Sequence, residues 1–307
     1  MPANTRDIKR RIRSITNTKQ ITKAMELVSA AKMRRATKAV QATRPYANLA
    51  WESVLNLAER TDRARHPLLH KRWPVKREAV VMISSNRGLC GGFNQQISKQ
   101  VFEYIAEKRA QDPKLEVEII VLGKRAGEAA LKTGYKIVAD FGKADVVTRV
   151  SEISPLSRLV IDDFQSRKYD RVMVAYTDYI SSLKQVSQLR QILPIEKKIE
   201  GLGDVSKQDL ETKTEPTGLE FSEYLFEPSP DDVLRVMLPR LVEVQLYQAV
   251  LESNASEHAA RMIAMRNATE NAEEYIDDLV LSFNQARQAS ITRDLSEISA
   301  SRAVLAG

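Results

Sequence analysis

Residues 237–286, MLPRLVEVQLYQAVLESNASEHAARMIAMRNATENAEEYIDDLVLSFNQA, decide the architecture. From Met237 the mainly apolar positions alternate four and three apart without a break: Met237, Leu241, Val244, Gln248, Leu251, Ala255, His258, Met262, Met265, Thr269, Ala272, Ile276, Leu279, Phe283 and Ala286. A period of 3.5 residues sustained this long is the signature of a left-handed coiled-coil seam. Ser229-Pro230-Asp231-Asp232 supplies a helix start: an N-cap hydroxyl, a proline in the first turn, then two acids at the dipole-favoured end. No glycine follows until Gly307 and no proline after Pro239, so turn signals for a bundle of shorter helices are missing. One helix from about 231 to 305 is predicted, about 110 Å long. Its seam favours Ala and Met over Leu and Ile, which permits close approach and adaptable packing.

A stripe of that length must be buried, and the only other long helical segment is at the opposite end of the chain. Residues 4–44 contain no Gly or Pro, Asn4 is a suitable N-cap, and Asp7 lies in the first turn. Ile8, Ile12 and Ile15 recur at helical spacing, followed by Ile21, Met25 and Val28. The six-residue step from Ile15 to Ile21 turns that stripe around the helix and breaks the heptad. Pro45 is expected to kink the helix and not end it, because Ala47, Ala50, Trp51, Val54, Leu55 and Ala58 continue the pattern. The two helices pair with each other, parallel or antiparallel.

Charge agrees with that pairing. The 307 residues carry a net charge of +7, unevenly spread. Residues 1–44 hold twelve Lys and Arg against Asp7 and Glu26, whereas residues 228–307 hold seven Arg and no Lys against twelve acids. A basic arm of this kind is a solvated helix face, an acidic-partner surface or a nucleic-acid binder. No aromatic precedes Tyr46 among these basic residues, which weakens a single-strand reading.

Hydrophobic content of 43% and charged content of 28% are those of a chain that can bury a core. No apolar run approaches the length of a membrane span, and MPANTRDIKRR lacks the apolar region of a signal peptide. The expectation is a soluble chain whose membrane association comes through partners. The single cysteine, Cys90, excludes an internal disulfide and a Cys-based metal cluster.

Between about 75 and 225 the texture changes. Ala79–Ile83, Glu116–Leu122, Lys136–Phe141 and Arg171–Tyr176 read as strands, with Val186–Leu193 as a further one. Helical stretches fall at about Asn94–Ala110, Lys124–Thr133 and Ser154–Lys168, and Gly201–Phe221 reads as a loop or excursion. Strands alternating with helices predict a mainly parallel, Rossmann-like sheet.

One stretch there looks like chemistry. Ser84–Asn94, SSNRGLCGGFN, joins the first strand to a helix, where α/β proteins cradle phosphates. It matches neither GxGxxG nor the P-loop, so a tight turn built from small residues is the better reading. Cys90 within it reads as a small packing residue. His66 and His70 flank Pro67-Leu68-Leu69 with no third ligand, so no metal is expected. No paired carboxylates or catalytic triad emerge, and neither a catalytic centre nor a cofactor is expected.

Five strings resemble the gamma subunit of F-type ATP synthase. They are ITKAMELVSAAKMRRA (Ile21–Ala36), SSNRGLCGGFN with Asn86 where many members carry Asp, FEPSPDDVL (Phe226–Leu234), and ASEHAARMIAMRNATENA (Ala255–Ala272) with ARQASITRDLSEI (Ala286–Ile298). The likeness runs in order from residue 4 to 307. It implies a long antiparallel coiled coil of N- and C-terminal helices, 1–60 and 229–307, with a Rossmann-like α/β domain, 75–225, inserted between them. It implies a non-catalytic rotor shaft threading a hexamer of alternating alpha and beta subunits, its foot held with epsilon on the membrane c-ring. By resemblance Met25 passes the acidic loops of beta, while Arg261, Arg287, Gln288 and Thr292 touch the catch loops of alpha and beta. Asp294 stands where the family usually has Glu, and Ser301-Arg302 replace a small pair at the shaft tip. The implied location is peripheral, on the cytoplasmic side of a bacterial plasma membrane, and the lone Cys90 excludes the dithiol switch of chloroplast members.

Overall fold

A computed structural model describes residues 5–59, 66–196 and 229–306. The N-cap reading of Asn4 and the excursion Gly201–Phe221 lie outside these residues, as does the side chain of Arg302. The chain divides into two compact units, Met1–Ser29 with Met262–Gly307, and Ala30–Arg261.

Helix α1 (Thr5–Glu59) continues through Pro45, and α5 (Pro230–Ala306) through Pro239. Ser229 caps α5 as its sequence predicts: the Asp232 amide donates to Ser229 Oγ at 3.2 Å, and that hydroxyl donates to Asp232 Oδ2 at 2.7 Å.

In the first unit the two helices run antiparallel. The Thr22 and Thr269 hydroxyls lie 2.8 Å apart, and Lys19 Nζ lies 2.8 Å from Glu273. Stepping back along α1 therefore advances along α5. The α5 stripe is the predicted one: Met265, Thr269, Ala272 and Leu279 are buried, and Ile276, Phe283 and Ala286 are half-buried. The α1 stripe is not. Ile21 is 60% exposed and Val28 55% exposed, whereas Thr22 and Ser29 beside them are buried. The stripe runs Ile8, Ile12, Ile15, Lys19, Thr22, Glu26, Ser29, four and three apart throughout. The heptad is thus unbroken. It carries polar residues at the positions where the apolar pattern steps sideways.

The second unit holds a five-stranded sheet in the order β3-β2-β1-β4-β5. The strands are β1 (Arg77–Ile83), β2 (Glu116–Leu122), β3 (Ile137–Phe141), β4 (Arg171–Tyr179) and β5 (Gln185–Leu193). All pairings are parallel except β4 with β5, which a short connection turns into a hairpin. The two-residue alternation of β1 divides the core. Val80 and Met82 face α2 (Phe93–Gln111) and α3 (Lys124–Lys132), in a cluster with Ile97, Val101 and Ala126. Ala79, Val81 and Ile83 face the other way, into a cluster with Leu156 and Phe164 of α4 (Ser154–Gln165), Ala36 and Val40 of α1, and Leu246 and Val250 of α5. From Leu241 to Ala259 every residue of α5 is buried except the half-buried Val244. A two-helix seam accounts for one stripe of this stretch. Packing against the α/β layer accounts for the rest.

Candidate functional site

The loop after β1 is held by its own side chains. The Ser85 amide donates to Asn94 Oδ1 at 3.0 Å, Ser85 Oγ to the Arg87 carbonyl at 2.6 Å, and Asn94 Nδ2 to Ser85 Oγ and to Cys90 Sγ at 3.1 Å. Cys90 is buried as a hydrogen-bonding and packing residue. The first amides of α3, the helix after β2, are engaged by this loop: Lys124 N with Asn86 Oδ1, Arg125 N with the Ser85 carbonyl, and Ala126 N with Ser84 Oγ. Gly123 lets these strands meet. Its φ is +104°, and a Cβ there would stand 2.5 Å from the Ser84 carbonyl oxygen.

Helix α5 grips the same loop through a buried ionic network. Lys143, following β3, donates to the Ser84 carbonyl at 3.0 Å and to Glu257 Oε2 at 2.7 Å. Arg261, 8% exposed, reaches the carbonyls of Gly88 and Arg87 at 3.3 and 3.2 Å and Glu257 Oε1 at 2.9 Å. Its Nη1 faces His258 Nδ1 at 3.3 Å, and His258 Nε2 faces the Asp145 carbonyl at 2.8 Å. A guanidinium can only donate and a carbonyl only accept, so His258 is neutral with its proton on Nε2. Burial holds its pKa below the ordinary value despite the Asp145 carbonyl. Burial alone would raise the Glu257 pKa, but Lys143 and Arg261 outweigh it and the net direction is down. Asp145 is held down chiefly by its 2.8 Å hydrogen bond from Lys32 of α1.

The residues singled out from sequence separate into two groups. Arg261 is turned into the chain, and the acidic neighbour its charge requires is Glu257. Met25 is half-buried on α1, its carbonyl accepting from Ser29 Oγ at 2.7 Å. Arg287, Gln288, Thr292 and Asp294 are all exposed on the far end of α5. Helical spacing puts Arg287 with Asp294 on one face, and Gln288 with Thr292 on another. Beside them Ile291, Leu295 and Ile298 form an exposed apolar stripe at i, i+4, i+7, and every residue from Arg287 to Ser301 is exposed. Ser301 Oγ caps back onto the Glu297 carbonyl at 2.8 Å. Sequence reading passed over Lys143 and Glu257 altogether. The polar run Glu252-Ser253-Asn254-Ala255-Ser256-Glu257-His258, all buried, was the signal for it: a helix buried around its circumference with polar side chains needs partners for them.

Much of the basic charge of α1 is likewise engaged within the chain. Lys19 pairs with Glu273, Lys23 with Glu26, Lys32 with Asp145, and Arg10 with Asp7. The nucleic-acid reading finds no support. Among the described residues no helix is long and apolar enough to cross a membrane.

Two long terminal helices, with a mostly parallel α/β layer between them in sequence, define the class of protein, and comparison with known proteins narrows it. The family model described as ATP synthase matches residues 4–305. The ATP synthase gamma chain of Chloroflexus aurantiacus (strain ATCC 29366 / DSM 635 / J-10-fl) is 42% identical over 307 residues, covering 99% of both chains. That of Roseiflexus castenholzii (strain DSM 13941 / HLO8) is 41% identical, covering 100% of this chain and 99% of its own. Among solved structures, a chain of the Euglena gracilis mitochondrial ATP synthase (OSCP/F1/c-ring) shares the fold with a TM-score of 0.63 at 21% identity, covering 98% of this chain and 94% of that one. The chain belongs to the ATP synthase gamma-chain family.

Proposed function

We propose that this chain is the central rotor shaft of an ATP synthase, coupling ion flow through a membrane ring to nucleotide chemistry carried out elsewhere in the complex. One observation carries the reading: α5 continues from Arg287 to Ser301 exposed on all sides, with Ile291, Leu295 and Ile298 along one face. A lone helix of that kind is marginal in water and gains its stability from a partner. The alpha and beta subunits of an alpha3beta3 hexamer are that partner here, with Met25, Arg287, Gln288, Thr292 and Asp294 as contacts. Arg261, bound to Glu257 and to the carbonyls of Gly88 and Arg87, acts from within by fixing the loop after β1. Epsilon and the c-ring hold the other end, so the chain is peripheral to the membrane, on the cytoplasmic side in a bacterium.

The mechanism is one of differential contact. A shaft without three-fold symmetry inside a nearly three-fold hexamer presents a different face to each beta subunit. Each face favours one state of the catalytic site, as an effector does when it binds two conformations unequally. Turning the shaft passes every site through tight, loose and open states. The chain contributes no group to phosphoryl transfer and needs no cofactor of its own. The terminal segments 1–60 and 229–307 form the shaft, and 75–225 supplies the body that epsilon and the ring hold.

Reconstitution tests this. The chain is combined with alpha and beta subunits, and a bead is attached to it while ATP is hydrolysed. The bead is expected to turn in one direction. An unchanged ATPase rate without the chain, together with a bead that never turns, would sink the proposal.

A further inference from the structure

A second buried polar cluster lies in the 30–261 unit, where α1, α5 and β4 converge. Glu252 of α5 is 0% exposed and Asp178 of β4 is 4% exposed. Glu252 Oε1 accepts from Gln248 Nε2 at 2.8 Å, and Gln248 Oε1 in turn accepts from Thr43 Oγ1 of α1 at 2.7 Å. Arg44 of α1 stands 3.6 Å from the same Oε1. The remaining oxygens are different. Among the described residues Glu252 Oε2 and Asp178 Oδ1, both out of water, have no donor, although the two carboxyl groups are within hydrogen-bonding reach of each other.

Two ionised carboxylates in that position have bare lone pairs facing each other, which a buried site does not tolerate. One proton removes the conflict. It gives Glu252 Oε2 a hydrogen to donate and Asp178 Oδ1 a donor, satisfying both orphaned atoms at once. The other groups facing the pair are the Tyr176 hydroxyl of β4, also without a partner, and the half-buried Arg190 of β5, which bears on Tyr176.

We propose that Glu252 and Asp178 form a proton-binding site, an acid–carboxylate pair that ties α5 to β4 while it holds its proton and loosens that tie when the proton leaves. No other reactant is involved: the proton is bound from water and returned to it. Burial, and then the neighbouring Asp178, push the Glu252 carboxyl well above the ordinary carboxylate range. A carboxyl whose folded-state pKa is raised contributes stability fully below its unfolded value, and that contribution is lost as the pH rises through the folded value. This site therefore weakens on the alkaline side, opposite in sign to an ion pair such as Lys143–Glu257.

The test uses the full chain and two isosteric variants. Infrared spectroscopy reads the carbonyl stretch of protonated carboxylic acids, and denaturant unfolding is measured from below the ordinary glutamic-acid value of 4.5 upward to mildly alkaline pH, so that both the full contribution and its loss are sampled. In the unaltered chain a protonated-acid band is expected at neutral pH, with an unfolding midpoint that falls as the pH rises. Glu252→Gln places an amide donor against Asp178 Oδ1, so it is expected to lose the band and the alkaline fall while keeping the low-pH midpoint. Asp178→Asn removes the carboxylate partner and leaves burial in place, so it is expected to shrink the alkaline fall without abolishing it. It serves as the second readout should the first variant fold poorly. Subtracting variant from parent spectra removes the band of Glu78, another buried carboxyl pushed upward by desolvation. No band lost in Glu252→Gln, or the same pH dependence in parent and both variants, overturns the proposal. So does a midpoint raised by added Mg2+ or Ca2+ in the parent alone, because the pair then holds a metal ion in place of the proton.

Discussion

Lys143 Nζ sits 2.7 Å from Glu257 Oε2, with 2% and 6% of the two side chains exposed, and it thereby joins the loop after β3 to α5. Lys143→Met removes one partner of a buried pair while leaving Glu257 its contact with Arg261. A loss of about 3 kcal/mol is expected, read as a lower urea midpoint at unchanged slope. Glu257→Gln strands two buried cations and is expected to cost more than Lys143→Met. The reverse order would mean that Lys143 acts chiefly through the Ser84 carbonyl and not through the carboxylate.

The same network sets an acid limit. Glu257 and His258 both have lowered folded-state pKa values, so each contributes stability above its unfolded value that is lost as pH falls through the folded one. For His258 the decline begins below the ordinary imidazole value of 6.5, and for Glu257 below 4.5. His258→Gln is expected to flatten the first of these two steps and leave the second. Unfolding midpoints collected across that range, parent against variant, show whether it does.

Arg261 and Arg287 lie on one helix and should respond in opposite ways. Arg261→Ala strips donors from two loop carbonyls and from Glu257, and about 2 kcal/mol of stability is expected to go with them. Arg287→Ala alters an exposed side chain, so the isolated chain should melt within about 0.5 kcal/mol of the parent. In the reconstituted complex it is Arg287→Ala that should slow ATP-driven turning. Calorimetry paired with a rotation assay separates the two roles.

The Thr22–Thr269 contact is suited to a double-mutant cycle. Each hydroxyl also lies within reach of a carbonyl of its own helix, Thr22 of Lys19 and Thr269 of Met265; with one proton apiece, one threonine donates across the helices and the other donates to its own carbonyl. Either Thr→Val change alone leaves the other hydroxyl short of a partner and should cost about 1 kcal/mol. Both together replace two polar groups by apolar ones of equal shape, so the pair should recover most of that loss. Additive losses would show that the contact across the helices is worth nothing.

Gly123→Ala meets the Ser84 carbonyl at 2.5 Å with φ at +104°, a backbone position that a side chain strains. A loss of more than about 2 kcal/mol is expected, read by thermal unfolding, with Gly134→Ala as the control. Gly134 also has positive φ, but a Cβ there finds open space.

The regular parts of this fold are legible residue by residue. The strand Glu116–Leu122 has the bounds read from its sequence, a β-branched core with Glu116 and Leu122 at its ends, and Ser229 caps α5 because Ser-Pro-Asp-Asp allows little else. The α5 stripe from Met265 to Ala286 follows from spacing alone. The α1 stripe departs from the apolar pattern because apolarity does not choose between neighbours there. Ile21 outranks Thr22 and Val28 outranks Ser29 on any hydrophobic scale, but period decides which residue faces the partner helix. Lys143 and Glu257 are more than a hundred residues apart, and no local pattern announces that they meet. The all-round burial of α5 between Leu241 and Ala259 is likewise a tertiary fact. It depends on where the sheet lies.

The polar stripe of α1 bears on what the helix pair can withstand. A seam built only of alanines and leucines would offer nearly the same contacts after one helix slid seven residues along the other. Here such a slip would carry Thr22 away from Thr269 and Lys19 away from Glu273, leaving hydroxyls bare between the helices. Sliding is therefore penalised at the points where the apolar grip is weakest. A spindle twisted from one end can strain elastically and return to the same thread.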